Sequence, residues 1–102
     1  MLLLTKANRK ALPALYSQEN NPDPMVQVKF FTPDSNWTWY ATEFDGEDRF
    51  FGLVDGFDVE LGHFSLSELK SARGPLGLPI ERDRYFEPQP LSQVRELCRG
   101  RG

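Results

Sequence analysis

The sequence predicts a single α+β domain over residues 1–102, in which an antiparallel sheet of four to five strands packs against about three helices. Two observations carry this prediction. Segments with the alternating period of β-strands follow one another between residues 26 and 63, with only short turns between them. Segments with helical period lie before and after this run. With 102 residues and 39% hydrophobic content, the chain is long enough for one modest core.

The first helix is predicted to begin after Thr5, a residue type that caps helix N-termini. Apolar residues recur at helical spacing as far as Leu15, but Pro13 disfavours helical geometry at the residue before it. The pattern therefore predicts a break at Leu12 or a second short turn that begins at Pro13. Residues 17–24 are rich in Asn, Asp and Pro and are predicted to be an exposed connection.

Four strands with short links are predicted, and the simplest pairing for them is an antiparallel meander. They cover residues 26–30, 37–44, 49–54 and 57–63. The dipeptides Asp45-Gly46 and Asp55-Gly56 are turn signals between them. A further short strand is predicted over residues 80–86, where several charges suit the edge of a sheet better than its centre.

Both ends of a middle helix are specified locally. Ser65 and Glu68 have the spacing of a capping box, and Gly74 tolerates the positive φ that often ends a helix, so a helix is predicted from about Leu66 to Arg73. A final amphipathic helix is predicted to begin at about Leu91 and to stop at Gly100. The three helices are expected to lie mainly on one side of the sheet.

Negative charge is concentrated in one part of the sequence. The net charge of −3 has the wrong sign for a protein whose whole surface grips phosphates. Between Glu43 and Glu60, seven acidic residues accompany Arg49 alone. This segment is predicted to contact a protein partner that is basic or binds nucleic acid, whereas direct nucleic-acid binding is disfavoured. The candidate partner-binding residues are Glu43, Asp45, Glu47 and Asp48 in this segment and Gly74, Pro75, Leu76 and Gly77 in the loop after the middle helix.

Two alternatives compete with this protein-binding interpretation. In the first, carboxylates of residues 45–60 hold a metal ion in a hydrolase or nuclease, and the single histidine, His63, assists. In the second, aromatic strands form a stacking platform for single-stranded nucleic acid. The platform would consist of Trp37, Trp39 and Tyr40 with Lys29, although alternation places Tyr40 on the opposite face from the two tryptophans.

No catalytic residue, cofactor or metal ligand is predicted, because the sequence contains no motif with the spacing of a catalytic site. His63 is interpreted as a packing or hydrogen-bonding residue. With a single cysteine, Cys98, the chain cannot form an internal disulfide, so a cytoplasmic location is the default expectation. Cys98 itself is interpreted as a small buried hydrophobe. Residues 2–4 are apolar but are followed at once by basic residues, which predicts no signal peptide or membrane helix.

Several short segments of the sequence are similar to those of a known family. They are ELGHFSLSEL at residues 60–69, RGPLGL at 73–78, IERD at 80–83, YFEP at 85–88, and the opening LLLTKA at 2–7 with LPALY at 12–16. Through these segments the chain resembles, over nearly its whole length, a bacterial family: the domain-of-unknown-function family numbered twenty-nine fifty-eight. The resemblance implies a setting on plasmids and integrative elements and an accessory role in a mobile element. It supplies no site residues, and His63 stands where the family more often has Tyr.

Overall fold

A computed structural model describes residues 2–100 and confirms the α+β prediction. The helices are α1 (Lys6–Ala11), α2 (Leu66–Ser71) and α3 (Leu91–Gly100). The strands are β1 (Met25–Val26), β2 (Val28–Phe31), β3 (Thr38–Phe44), β4 (Arg49–Asp55), β5 (Val59–Ser65), β6 (Glu81–Arg82) and β7 (Gln89–Pro90). Five strands form an antiparallel sheet in the order β5-β4-β3-β2-β6, and β1 pairs with β7 in a separate ribbon.

The predicted meander is confirmed by the antiparallel pairing of β2 with β3, β3 with β4, and β4 with β5. The predicted edge strand is present but shorter than predicted, because only Glu81–Arg82 pair with the outer side of β2 as β6. The predicted first strand is divided in two. Val26 pairs with Gln89 of β7, whereas Val28 pairs with Ala41 of β3.

A β-bulge at Thr42 changes which side of the sheet the end of β3 faces. Ala41 is opposite Gly52, but the next paired residue of β3 is Glu43, opposite Phe51. The Thr42 hydroxyl donates a hydrogen bond to the Phe51 carbonyl oxygen at 3.0 Å. Because one extra residue is inserted, Glu43 lies on the opposite face from Ala41, although simple alternation places the two together.

The core lies on both faces of the sheet. On the first face a cluster of phenylalanines packs against the N-terminal segment and α2; its members include Phe30, Phe44, Phe50, Phe64, Leu3, Leu4, Leu66 and Leu69. On the second face Tyr40 and Leu53 pack against Leu91, Val94 and Cys98 of α3. The expectation that all helices cover mainly one side is therefore wrong. The amphipathic pattern of α3 shows which of its own sides is buried but contains no information about which sheet face it covers.

The helix starts are as predicted, but one helix end is not. Thr5 caps α1 with a complete capping box, and the helix ends at Ala11 before an extended Leu12. In α2 the Ser65 hydroxyl accepts the Glu68 N–H at 3.1 Å, but the helix ends at Ser71, before the predicted end. No helix within residues 2–100 is long and apolar enough to cross a membrane.

Candidate functional site

The β3–β4 turn contains three of the predicted partner-binding residues, at positions 45, 47 and 48. Oδ1 of Asp45 accepts hydrogen bonds from the backbone N–H groups of residues 47, 48 and 49, at 2.8, 2.8 and 3.0 Å. These bonds, led by the one from Glu47, hold the pKa of Asp45 below its ordinary value. Glu47 itself is exposed. Asp45 therefore shapes the turn, and Glu47 offers its charge to solvent.

Asp48 connects this turn to the start of α2. Its Oδ1 accepts the Ser67 N–H at 2.8 Å, and its Oδ2 accepts the Ser67 hydroxyl at 3.0 Å. Its backbone carbonyl accepts the Leu66 N–H at 2.7 Å. These are N–H groups of the first helical turn, which have no acceptor within the helix. Asp48 thus adds a second cap to α2 besides Ser65.

Glu43 lies in the interior and not on the predicted contact surface. Its exposed fraction is 4%. Oε1 accepts the Tyr16 N–H at 2.9 Å and Oε2 accepts the Gln18 N–H at 2.8 Å, so the carboxylate holds the 16–18 turn against the sheet. A buried carboxylate needs such donors. Both carboxylate oxygens of Glu43 are therefore used by hydrogen bonds within the chain. The bulge at Thr42 directs this side chain to the second face of the sheet.

The acidic residues of the 43–60 segment do not converge. Asp55 is buried at the end of β4 that is distant from Asp45. Near the same end, Asp58 is exposed in the β4–β5 turn and Glu60 is exposed in β5, opposite Val54. The ends of a strand with the seven residues of β4 lie roughly 20 Å apart. Within residues 2–100, no three His, Cys, Asp or Glu side chains come together as ligands for a metal ion. This geometry gives no support to the metal-dependent hydrolase or nuclease.

The predicted contact loop after α2 is a small hairpin held by Asp34. Oδ2 of Asp34 accepts the backbone N–H of Leu76 at 2.8 Å. A Cβ atom on Gly74 would lie 1.6 Å from Oδ1 of Asp34, so glycine is required there for close approach and not for positive φ. The left-handed residue is Gly77, with φ 82°. Pro75 and Leu76 are exposed, Leu76 by 80%.

Three aromatic rings lie together near the β4–β5 turn, and we call Trp37, Trp39 and Phe57 the aromatic tip; both tryptophans are half-buried. Trp37 lies 5.9 Å from Trp39 and 5.2 Å from Phe57 between ring centroids, with the Phe57 ring edge-on. Phe57 is 94% exposed. Asp58 and Glu60 line the same hollow of about 190 Å³ beside Trp37 and Phe57. Apolar rings and carboxylates are thus adjacent at this end of the sheet.

The predicted stacking platform is divided between the two faces, as alternation indicated. Tyr40 is buried in the second-face cluster, whereas Trp39 packs beside the first-face cluster. Lys29 lies 5.8 Å from the Tyr40 ring centroid and forms an ion pair with Asp83 at 3.6 Å. Lys29 and Tyr40 therefore do not share a surface with the tryptophans.

A cleft of about 500 Å³ lies on the second face of the sheet. Its floor is formed by side chains of β3, β4 and β5, one wall by the 16–24 connection and the other by the start of α3. The lining includes Tyr16, Glu43, Phe51, Leu61, His63 and Arg95. Three segments distant in sequence meet here, so no local motif reveals the cleft. The sequence singles out His63 and the polar connection of residues 17–24, but it does not indicate that the two lie beside one cleft.

Three aromatic rings follow one side of the cleft. The His63 ring lies 5.1 Å from Phe51 and 6.0 Å from Tyr16 between centroids, in both cases nearly perpendicular. Tyr16 has φ 69°, which non-glycine residues rarely adopt. Its N–H bond to buried Glu43 holds this backbone conformation in place.

The opposite wall of the cleft is fixed by a cap on α3. Oδ1 of Asp23 accepts the Ser92 N–H at 2.8 Å and Oδ2 accepts the Ser92 hydroxyl at 2.6 Å. These bonds, led by the one from the hydroxyl, lower the pKa of Asp23. Arg95 follows one turn later, half-buried, and has no ion pair or hydrogen bond with a described residue.

Cys98 is buried, as the sequence analysis predicted. Burial raises the pKa of its thiol above the ordinary value. The thiol is therefore less readily ionised than an exposed one, which disfavours nucleophilic chemistry at this position.

The family resemblance is confirmed by a match to a family model. The model described as "Protein of unknown function (DUF2958)" matches residues 3–102, which is essentially the whole chain. Neither a curated protein nor a solved structure matches. The chain therefore belongs to the DUF2958 family.

Proposed function

We propose that this protein is a non-enzymatic binding module that contacts a basic partner protein through the aromatic tip and the two acids beside it. The single observation behind this proposal is Phe57, a phenylalanine with 94% exposure that sits at a turn against Trp37. Covering such a ring would gain about 2 kcal/mol. An exposed ring beside half-buried tryptophans is typical of protein interaction surfaces, in which Trp residues often dominate the binding energy.

The charge beside the rings determines the kind of partner. Asp58 and Glu60 are exposed, and neither carboxylate has a hydrogen bond or ion pair with residues 2–100. Trp faces attract Lys and Arg side chains by cation–π interaction, and adjacent carboxylates add a second attraction. The same carboxylates repel phosphates, so a basic protein fits this surface better than nucleic acid.

The non-enzymatic part of the proposal is supported by what the other acids do. Glu43, Asp45 and Asp48 accept hydrogen bonds from their own chain and do not face a common pocket. Cys98 is buried. The family resemblance adds an accessory role in a bacterial mobile element to the proposal. The single cysteine, which forms no internal disulfide, adds a cytoplasmic location.

The loop around Leu76 is a second element of the proposed contact surface. Asp34, which holds this loop, lies in the β2–β3 turn, and Trp37 ends the same turn. The β2–β3 and β4–β5 turns are at the same end of the antiparallel sheet. Exposed Leu76 and Phe57 are therefore presented at one end of the molecule, away from the acidic β3–β4 turn.

Photo-crosslinking in bacterial cells that carry the gene tests the proposal. A Phe57→p-benzoylphenylalanine variant is expected to crosslink to a specific basic protein. The matched control is the same replacement at Tyr85, which is 87% exposed in another part of the chain. Combining the probe at position 57 with Asp58→Asn and Glu60→Gln should abolish the crosslink. Identical products from positions 57 and 85, or a crosslink that survives neutralisation of both acids, would contradict the proposal.

A further inference from the structure

We propose that the cleft on the second face binds a small molecule that combines a planar aromatic ring with an anionic group. This inference goes beyond the proposed protein contact, because the aromatic tip lies on the first face and the cleft on the second. The volume of about 500 Å³ is within the range of roughly 300–1,000 Å³ that is usual for small-molecule sites.

The ring of the ligand is indicated by the lining of the cleft. Phe51, His63 and Tyr16 present aromatic edges and faces along one side. Leu61 and Leu91 add apolar surface. Flat rings pack well in such a setting through edge-to-face and offset contacts.

The backbone of Tyr16 supports a binding role for this wall. A left-handed tyrosine persists only where surrounding interactions impose it, and such residues are concentrated at binding sites. Here both oxygens of buried Glu43 are used to hold residues 16–18, and the Tyr16 ring remains 55% exposed over the cleft. The backbone that carries this ring is thus fixed before any ligand arrives, which reduces the entropy cost of binding.

The anionic group of the ligand is indicated by Arg95, the one Lys or Arg side chain among the described residues that line the cleft. Both oxygens of Glu43 and both oxygens of Asp23 already accept hydrogen bonds from the protein. Glu19, the other acid of the lining, is exposed on the 16–24 connection. Arg95 is half-buried, and its guanidinium has no ion pair among the described residues. A carboxylate or phosphate on the ligand would supply this missing partner.

Direct binding measurements with two probes test the inference on the full chain. Indole-3-acetate supplies a ring with a carboxylate, and adenosine monophosphate supplies a ring with a phosphate. At least one is expected to bind, in isothermal titration calorimetry, more tightly than its neutral counterpart, indole-3-acetamide or adenosine. Arg95→Gln should weaken that binding by about tenfold or more, as expected for loss of one charge-assisted hydrogen bond. The matched control is Arg99→Gln, since Arg99 is exposed on the same helix and pairs with Glu96.

A second measurement needs no variant. In backbone amide NMR spectra of the unaltered protein, the bound probe should shift signals of Tyr16, Leu61 and His63 and leave those of Phe57 and Asp58 unchanged. The inference is overturned if neither probe binds, if the neutral counterparts bind equally well, if Arg95→Gln binds like Arg99→Gln, or if the shifts lie outside the cleft. Loss of the crosslink at Phe57 with retention of probe binding would reject the proposed function alone.

Discussion

The two turns at the ends of β4 are alike in sequence but opposite in use. Asp45-Gly46 and Asp55-Gly56 both begin a turn that contains acids. At the first turn, Asp45 and Asp48 accept hydrogen bonds from the chain. At the second turn, Asp58 faces solvent beside an exposed Phe57. Asp45 and Asp48, which a count of charges cannot distinguish from Asp58, therefore have structural roles in the first turn, whereas Asp58 is available to a partner in the second.

This difference locates the contact surface better than charge density does. The sequence is most acidic around the first turn, where the predicted partner-binding residues were concentrated. Hydrogen bonds from backbone N–H groups fix the carboxylates of Glu43, Asp45 and Asp48 in place, which limits their freedom to meet a partner. The second turn has fewer acids, but they lie next to apolar rings that water does not solvate well. The following changes test this contrast through stability, fluorescence and pH.

Removal of Glu43 should have the largest effect. Glu43→Ala leaves two N–H groups of the 16–18 turn without their acceptor, so we expect the free energy of unfolding to fall by about 3 kcal/mol. Urea unfolding at pH 7 measures this loss. Glu47→Ala is the matched control, with an expected change within about 0.5 kcal/mol because Glu47 is exposed. Equal losses in the two variants would show that the distinction between structural and free acids is wrong.

The glycines of the two turns should respond to alanine for different reasons. A Cβ atom on Gly56 would lie 2.3 Å from the Trp37 ring, so Gly56→Ala should displace that ring and cost about 1–2 kcal/mol. Gly46 has open space but φ 90°, so Gly46→Ala should cost about 1 kcal/mol through backbone strain alone.

Tryptophan fluorescence separates these two causes. The chain has two tryptophans, and both belong to the aromatic tip. Gly56→Ala is expected to shift their emission, and Gly46→Ala is expected to leave it unchanged. An unchanged emission spectrum in Gly56→Ala would mean that the tip does not depend on the close approach of this glycine.

The low pKa of Asp45 predicts a smaller effect that depends on pH. The folded state favours the charged carboxylate, so this contribution to stability is present above the ordinary pKa of 3.8 and is lost as the pH falls through the lower folded value. Asp45→Asn should therefore lower the free energy of unfolding at pH 7, and the difference from the unaltered protein should shrink below a pH of about 4. Urea unfolding curves at several pH values measure it. A difference that stays constant down to pH 2 would refute the linkage.

Features with short-range signals were predictable from the sequence. The caps at Thr5 and Ser65 and the β3–β4 hairpin depend on residues only a few positions apart, and all three are confirmed. The strand periods identified the meander because one side of each strand meets a core. The exposure of Phe57 was not predictable, because its alternation with Val59 indicates that it belongs to a strand.

Features that depend on distant contacts were not predictable. Asp34 holds the Leu76 loop across 42 positions, and nothing near Gly74 indicates that a carboxylate approaches it. The bulge at Thr42 reverses the facing of Glu43, since a single inserted residue alters the alternation of every residue that follows in the strand. The cleft depends on both the bulge and the placement of α3, so it lay beyond any local pattern.

Replacement of Phe57 should have the smallest effect on stability and the largest on binding. Because its side chain is 94% exposed, Phe57→Ser loses little beyond an edge-on contact with Trp37, and we expect a change within about 0.5 kcal/mol in urea unfolding. The conservative control is Phe57→Tyr, which keeps the ring. If Phe57→Ser unfolded the protein, the ring would be a structural element and the contrast between the turns would fail. The partner is then measured by affinity purification with each variant as bait. If Phe57→Ser has ordinary stability but no longer captures the partner, and Phe57→Tyr still captures it, the ring contributes to the contact and not to the fold.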